Sequence, residues 1–302
     1  MDAWIPITIA AAIAQTLRFM LQKHLKSTRL STAGATFSRF IYSAPLVAVL
    51  IYAYARTTGQ ALPQLSETFW AFALVGGLSQ ILATLCVVAL FGERNFAVGI
   101  TFKKTEVLQS AILGFVVLGE AVTGGAIAAV MLGFVAVLML AAPPERASSG
   151  RFWSGLLNRA SGLGLLSGVL FALSAVSYRG APLSLASGDV VLRAGYTLAL
   201  VTASQSIAMG LWLGWRDRAQ LRAVFAAWRV ASLVGITSMI GSFCWFTAFT
   251  LQTVAYVKAL GQVELVFSLA ASVLIFHEKI SARELAGIAI LLASILLLVL
   301  VI

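Results

Sequence analysis

Residues 97–140 read AVGITFKKTEVLQSAILGFVVLGEAVTGGAIAAVMLGFVAVLML. Two apolar runs, 97–118 and 122–140, are separated only by Gly119-Glu120-Ala121, and the first carries Lys103, Lys104 and Glu106 inside it. Each run has about the 20 residues that an α-helix needs to cross ~30 Å of hydrocarbon. The runs are continuous rather than alternating, which excludes the strands of a membrane β-barrel. A charge in the middle of such a run costs about 2.5–3.5 kcal/mol on insertion scales, so it faces a cavity or a partner. This stretch therefore reads as a helical hairpin across a membrane, with ionisable groups held inside one of its helices.

The same reading extends over the chain at 3–21, 33–54, 68–90, 161–178, 190–213, 229–250, 256–277 and 283–302, giving ten expected spans. Composition agrees. Of 302 residues, 60% are hydrophobic and only 11% charged, and the mean hydropathy is +0.97. A soluble chain carries about 25% charged residues, so too little polar surface exists here to cover a water-soluble particle. A soluble enzyme is excluded. Met1-Asp2-Ala3-Trp4 lacks the basic start of a signal peptide, so the first apolar run is expected to stay in the mature protein.

The net charge of +10 does not point to nucleic acid, because the cations fall mostly in short tracts between apolar runs, where orientation signals lie. One side of the expected membrane collects Lys23, Lys26, Arg29, Arg94, Arg146, Arg151, Arg159, Arg216, Arg218, Arg222, Arg229, Lys279 and Arg283; the other collects Arg56 and Arg179. A bias of 13 to 2 places the first group in the cytoplasm and both termini outside, in a multi-pass protein of the cytoplasmic (inner) membrane. Cys86 and Cys244 lie in apolar runs, so a disulfide framework is not expected. With no His/Cys cluster of ligand spacing, no P-loop and no nucleophile–base pair, no metal, cofactor or enzymatic activity is expected.

Sliding the chain over itself by about 155 to 160 residues aligns its halves. Thr36-Phe37-Ser38-Arg39-Phe40-Ile41-Tyr42 meets Val190-Val191-Leu192-Arg193-Ala194-Gly195-Tyr196, and Leu74-Val75-Gly76 meets Leu233-Val234-Gly235. Glu106 and Glu120 are 14 apart, as are Glu264 and Glu278. Five spans per half is an odd number, so the copies insert in opposite senses. The expected architecture is all-α: ten transmembrane helices as two inverted five-helix repeats, 1–140 and 161–302, around a central cavity. Residues 141–160, with Pro143-Pro144 and Ser148-Ser149-Gly150, form the linker. Inverted repeats are how secondary transporters are built, with the site near the midplane.

Leu118-Gly119-Glu120 before the Gly- and Ala-rich run 122–140, and its echo Phe276-His277-Glu278 before 283–302, resemble the paired EamA-type repeats of the drug/metabolite transporter superfamily. The resemblance implies a ten-helix basket around a central cavity. It further implies transport of amino acids, metabolites or drugs, typically as efflux. Family members commonly carry proline in the middle of the fourth and ninth helices, where this chain has Glu106 and Glu264.

Glu106 lies nine residues past Ala97 and Glu264 eight past Tyr256, about 12–14 Å into the core from opposite faces at 1.5 Å per residue. Both carboxylates are thus expected near the midplane. Lys103 and Glu106 are spaced to pair along one helix face, and Arg39 lies at a depth from which it reaches the same cluster. Lys258 is six positions from Glu264 and on a different face of a regular helix, so the partner of Glu264 comes from another helix, a substrate or a proton. That makes Glu264 the candidate for proton coupling. Arg39 and Arg193, at matching repeat positions, either bind an anionic group or serve as structural or snorkelling residues. Trp245 lies deep in its span, and Tyr42 and Tyr196 follow the paired arginines; these aromatics either line the cavity or pack. Trp4, Trp70, Trp153, Trp212, Trp215 and Trp228 read as an interfacial belt. Glu120 and Glu278 read as caps for the helices that follow them.

The expected activity is movement of a small organic solute by alternating access, proton-coupled or by exchange, in a monomer or homodimer. A flippase of a lipid or lipid precursor is the alternative on the same fold.

Overall fold

The structure, a computed structural model, describes residues 2–91, 103, 106–141, 159–274, 277 and 281–301. Nearly all of the linker lies outside these residues, as do Arg94, Lys104, Arg146, Arg151, Trp153, Phe276, Glu278 and Lys279. Among the described residues the chain is helical, with no strand. The first half comprises α1 (Trp4–Thr28), α2 (Thr32–Ile41), α3 (Ser43–Thr58), α4 (Glu67–Leu90), α5 (Glu106–Leu118) and α6 (Gly124–Ala141). The second comprises α7 (Arg159–Leu183), α8 (Val190–Arg216), α9 (Arg218–Ala226), α10 (Trp228–Leu251), α11 (Val254–Leu260), a 3₁₀ turn (Gly261–Val263), α12 (Glu264–Leu274) and α13 (Ala282–Val301). Among the described residues, seven helices are long and apolar enough to cross a membrane: Trp4–Thr28, Thr32–Thr58, Glu67–Leu90, Gly162–Leu183, Val190–Arg216, Trp228–Leu251 and Val254–Ala271. Shorter apolar helices occupy Glu106–Leu118, Gly124–Ala136 and Leu285–Ser294.

Short polar side chains start several helices by accepting an otherwise orphaned backbone N–H. Ser31 accepts from Gly34, Ser66 from Phe69, Asp189 from Leu192 and Asp217 from Gln220. The link after α5 turns at Gly119, whose φ of 68° suits glycine. It is longer than the three residues expected, because Thr123 rather than Glu120 caps α6, accepting from the Ala126 N–H.

Two expected spans are interrupted. The span at 33–54 is α2 plus α3, broken at Tyr42, where α10 presses in: a Cβ on Gly235 would lie 2.3 Å from the Tyr42 Cβ. The span at 256–277 is broken by the 3₁₀ turn, where the Trp245 ring lies on Gly261 so closely that a Cβ there would be 2.4 Å from it. Both breaks put bare glycine backbone against a side chain that needs the space.

The principal packing runs between halves: α1 on α10, α4 on α7, α3 on α8, α6 on α13, and α5 on both α7 and α11. The surface is apolar, and polar and charged side chains are held inside among a largely apolar core, as in a protein surrounded by lipid. Val49, Val116, Leu211 and Leu274 face outward, while Thr8, Arg18, Gln22, Arg39, Thr84 and Gln205 are buried. Trp70, Trp212, Trp215 and Trp228 are exposed as a belt requires, but Trp4 is not. The first turn of α1 packs into the core and takes its indole along.

Candidate functional site

Two lysines and two glutamates meet in the interior, each side chain at most 8% exposed. Lys103 Nζ donates to Glu264 Oε2 at 3.0 Å and Oε1 at 3.3 Å, and lies 3.8 Å from Glu106 Oε1. Lys258 Nζ lies 3.4 Å from Glu106 Oε2. The pairs therefore cross between halves: Lys103 of the first reaches Glu264 of the second, and Lys258 of the second reaches Glu106 of the first. Two positive and two negative charges balance, which is the condition for holding them away from water. Aromatic faces complete the lysine surroundings. Lys258 Nζ sits 5.1 Å from the Trp245 ring and 5.6 Å from Phe249. Lys103 Nζ sits 5.1 Å from Phe19 and 5.3 Å from Phe171.

Two arginines lie one layer out. Gln15 Nε2 donates to Glu264 Oε2 at 3.0 Å, and Arg18 Nη2 donates to Gln15 Oε1 at 3.2 Å. Arg39 donates to three hydroxyls: Thr84 at 2.9 Å, Ser238 at 3.0 Å and Ser242 at 3.3 Å.

Beside the quartet is a cavity of about 20 Å³, room for one water. Gln15, Gln80, Ser174, Ser242 and Lys258 form its polar side; Phe171, Tyr178, Trp245, Phe246 and Phe249 form its aromatic side. Tyr178 donates to Gln80 Oε1 at 3.0 Å, and Gln205 ties Gln80 to the Gly77 carbonyl.

Of the residues singled out from sequence, Glu106, Glu264, Lys103, Lys258 and Trp245 come together here. Arg39 is adjacent through Ser242 but bonds hydroxyls rather than Glu106. It is 3% exposed, so it does not snorkel. Arg193, on the first turn of α8, is only half-buried and has none of these bonds. Tyr42 is drawn away: its hydroxyl donates to the Val224 carbonyl at 3.4 Å and its ring lies against Phe225. Tyr196 packs half-buried against the core.

Gln80, Ser174, Tyr178 and Ser242 were not singled out in sequence. Their signal is faint but present: Ser174 and Tyr178, and Ser238 and Ser242, recur at i,i+4 and so share a helix face. Glu120, expected as a cap for α6, instead pairs with Arg179 and accepts from the Val254 N–H at 3.2 Å. It thus serves the start of α11. Arg179 also donates to the Phe249 and Gln252 carbonyls. His277 is exposed, with φ 52°. No cluster of metal-ligating side chains occurs among the described residues.

Against known proteins, the deciding observation is a match in the second half. Residues 159–300 match the EamA-like transporter family, part of the drug/metabolite transporter superfamily. The EamA-like match contains Lys258, Glu264 and Trp245, and with the seven long apolar helices it points to a multi-pass membrane transporter of small solutes. A solved structure described only as "Crystal structure of protein" superposes with a TM-score of 0.66 at 15% identity, over 99% of this chain and 97% of its own. It shares the fold. No curated protein matches the sequence.

Proposed function

We propose that the chain is a secondary transporter that moves a small organic solute across the cytoplasmic membrane by alternating access. In this reading it has ten spans in two inverted five-helix repeats, 1–140 and 161–302, joined by the linker 141–160. The packing pattern supports it. Numbering the spans one to ten and adding five to each turns the α1–α10 contact (one on eight) into α7–α4 (six on three). The same operation maps α3–α8, α5–α11 and α6–α13 onto themselves. A two-fold exchange of halves has this property.

The observation that carries the reading is the crossed quartet. Lys103–Glu264 and Lys258–Glu106 each join one half to the other beside a cavity too small for any solute. In this reading the described conformation is a closed one, and rocking the halves apart separates both pairs together. A proton arriving on Glu264 removes the nearer of the two carboxylates that Lys103 faces, which links protonation to opening.

The test needs no knowledge of the solute. Ser242→Cys, in a Cys86→Ser/Cys244→Ser background, places a thiol on the cavity wall. Sealed vesicles are treated from either side with a membrane-impermeant thiosulfonate. The introduced thiol is expected to react, with a rate or sidedness that changes about tenfold or more when Glu264→Gln releases Lys103. Failure to react from both sides in both proteins refutes a water path to the site.

The flippase reading has one observation in its favour. A groove of about 320 Å³, lined by Leu50, Ile51, Val191, Ile240 and Phe243 among others, lies between α3, α8 and α10. Translocation of a headgroup-labelled phospholipid in vesicles would favour it.

A further inference from the structure

The interior charges do not balance once the arginines are included. Among the described residues, Glu106 and Glu264 are each matched to a lysine. Arg18 and Arg39, at 2% and 3% exposure, are bonded only to neutral groups, a glutamine and three hydroxyls. Arg18 Nη1 is buried with no hydrogen-bond acceptor at all. Among the described residues neither guanidinium has a carboxylate within hydrogen-bond reach, the partner that would stabilise a buried charge. Each is one residue removed from the cavity, Arg18 through Gln15 and Arg39 through Ser242. Gln15 and Ser242 are uncharged acceptors for the guanidiniums, and a carboxylate in their place gives each arginine a stronger, charge-assisted bond. The opposite wall is formed by Phe171, Trp245 and Phe249, which accepts a flat apolar body and whose cation-attracting faces are already turned to Lys258.

We infer that the solute is an organic anion, its oxyanion head drawn between Arg18 and Arg39 and its body against Trp245. This rests on the cavity being the transport site. On this inference amphipathic cations are not the transported class.

The test uses the purified full-length protein in phosphatidylcholine nanodiscs and measures thermal stabilisation. The probes are a dozen small aryl and alkyl skeletons, each presented as carboxylate, neutral amide and primary amine. Stabilisation is expected from carboxylates alone. Arg39→Gln and Arg18→Gln should weaken it by about tenfold or more in half-maximal concentration. Arg39→Lys, which keeps the charge but not the fork, should give an intermediate loss and guards against a misfolded glutamine variant. Stabilisation by amines or amides that is lost in Trp245→Ala overturns the anion and spares the site. Stabilisation indifferent to Trp245, Arg18 and Arg39 overturns both. No stabilisation by any carboxylate overturns the anion. Arg39-dependent stabilisation on adding phosphatidylglycerol, with none from soluble carboxylates, assigns the head to a lipid and overturns a soluble solute.

Discussion

Among the described residues, two ionic clusters join the halves of this molecule, and they are built on different principles. At the centre, Lys103 stands between Glu264 at 3.0 Å and Glu106 at 3.8 Å, so its partners are side chains and there is more than one. At the rim, Arg179 holds Glu120 and also the backbone carbonyls of Phe249 and Gln252, while Glu120 holds the N–H that starts α11. Side-chain partners can be exchanged when a proton or solute arrives; backbone partners can be released only by moving a helix end. The centre is suited to switching and the rim to fastening.

Removing one charge should separate the two most clearly. Lys103→Met leaves two buried carboxylates facing a single described lysine and should cost about 3–5 kcal/mol, read as loss of folded protein in detergent unfolding. Adding Glu264→Gln should recover most of that, because a neutral centre needs no counter-charge. If the double variant is no better than the single, the quartet is not an exchangeable charge balance.

At the rim, Arg179→Gln should cost about 2–3 kcal/mol, since charge-assisted bonds to two carbonyls and a carboxylate go together. Here Glu120→Gln should give no rescue, because the carbonyls and the Val254 N–H stay as they were. Recovery in that double variant would make the rim electrostatic like the centre.

A smaller effect sharpens the contrast without touching charge. Gly261→Ala puts a methyl where the Trp245 ring lies, 2.4 Å from it, and should cost about 1–3 kcal/mol by overpacking. Trp245 also faces Lys258, so its indole fluorescence should shift in this variant and stay unchanged in Arg179→Gln.

Much of this was legible in the sequence because a bilayer constrains hydropathy and depth so tightly. Apolar runs located the helices, and charges inside them located Lys103, Glu106, Lys258 and Glu264. The i,i+3 spacing even found the Lys103–Glu106 contact. What could not be read was the stronger bond, Lys103 to Glu264, because 161 residues separate the two and no local rule reaches that far. Arg39 is expected to reach the glutamates, but hydroxyls on α4 and α10 surround it instead, and serines and threonines inside apolar helices look unremarkable in a string. Glu120 was misread because the sequence shows which helix follows it, not which helix end lies across from it.

The short turn at Gly261–Val263 carries one more implication. A 3₁₀ turn advances about 120° per residue where an α-helix advances about 100°. Three such residues add about 60° of twist, so the six steps from Lys258 to Glu264 sum to about 300° instead of 240°, and the two side chains swing toward a shared direction. Rewinding those three residues as α-helix would turn everything beyond them like a key through that same angle, carrying the Glu264 carboxylate off its lysine while the helix axis stayed straight.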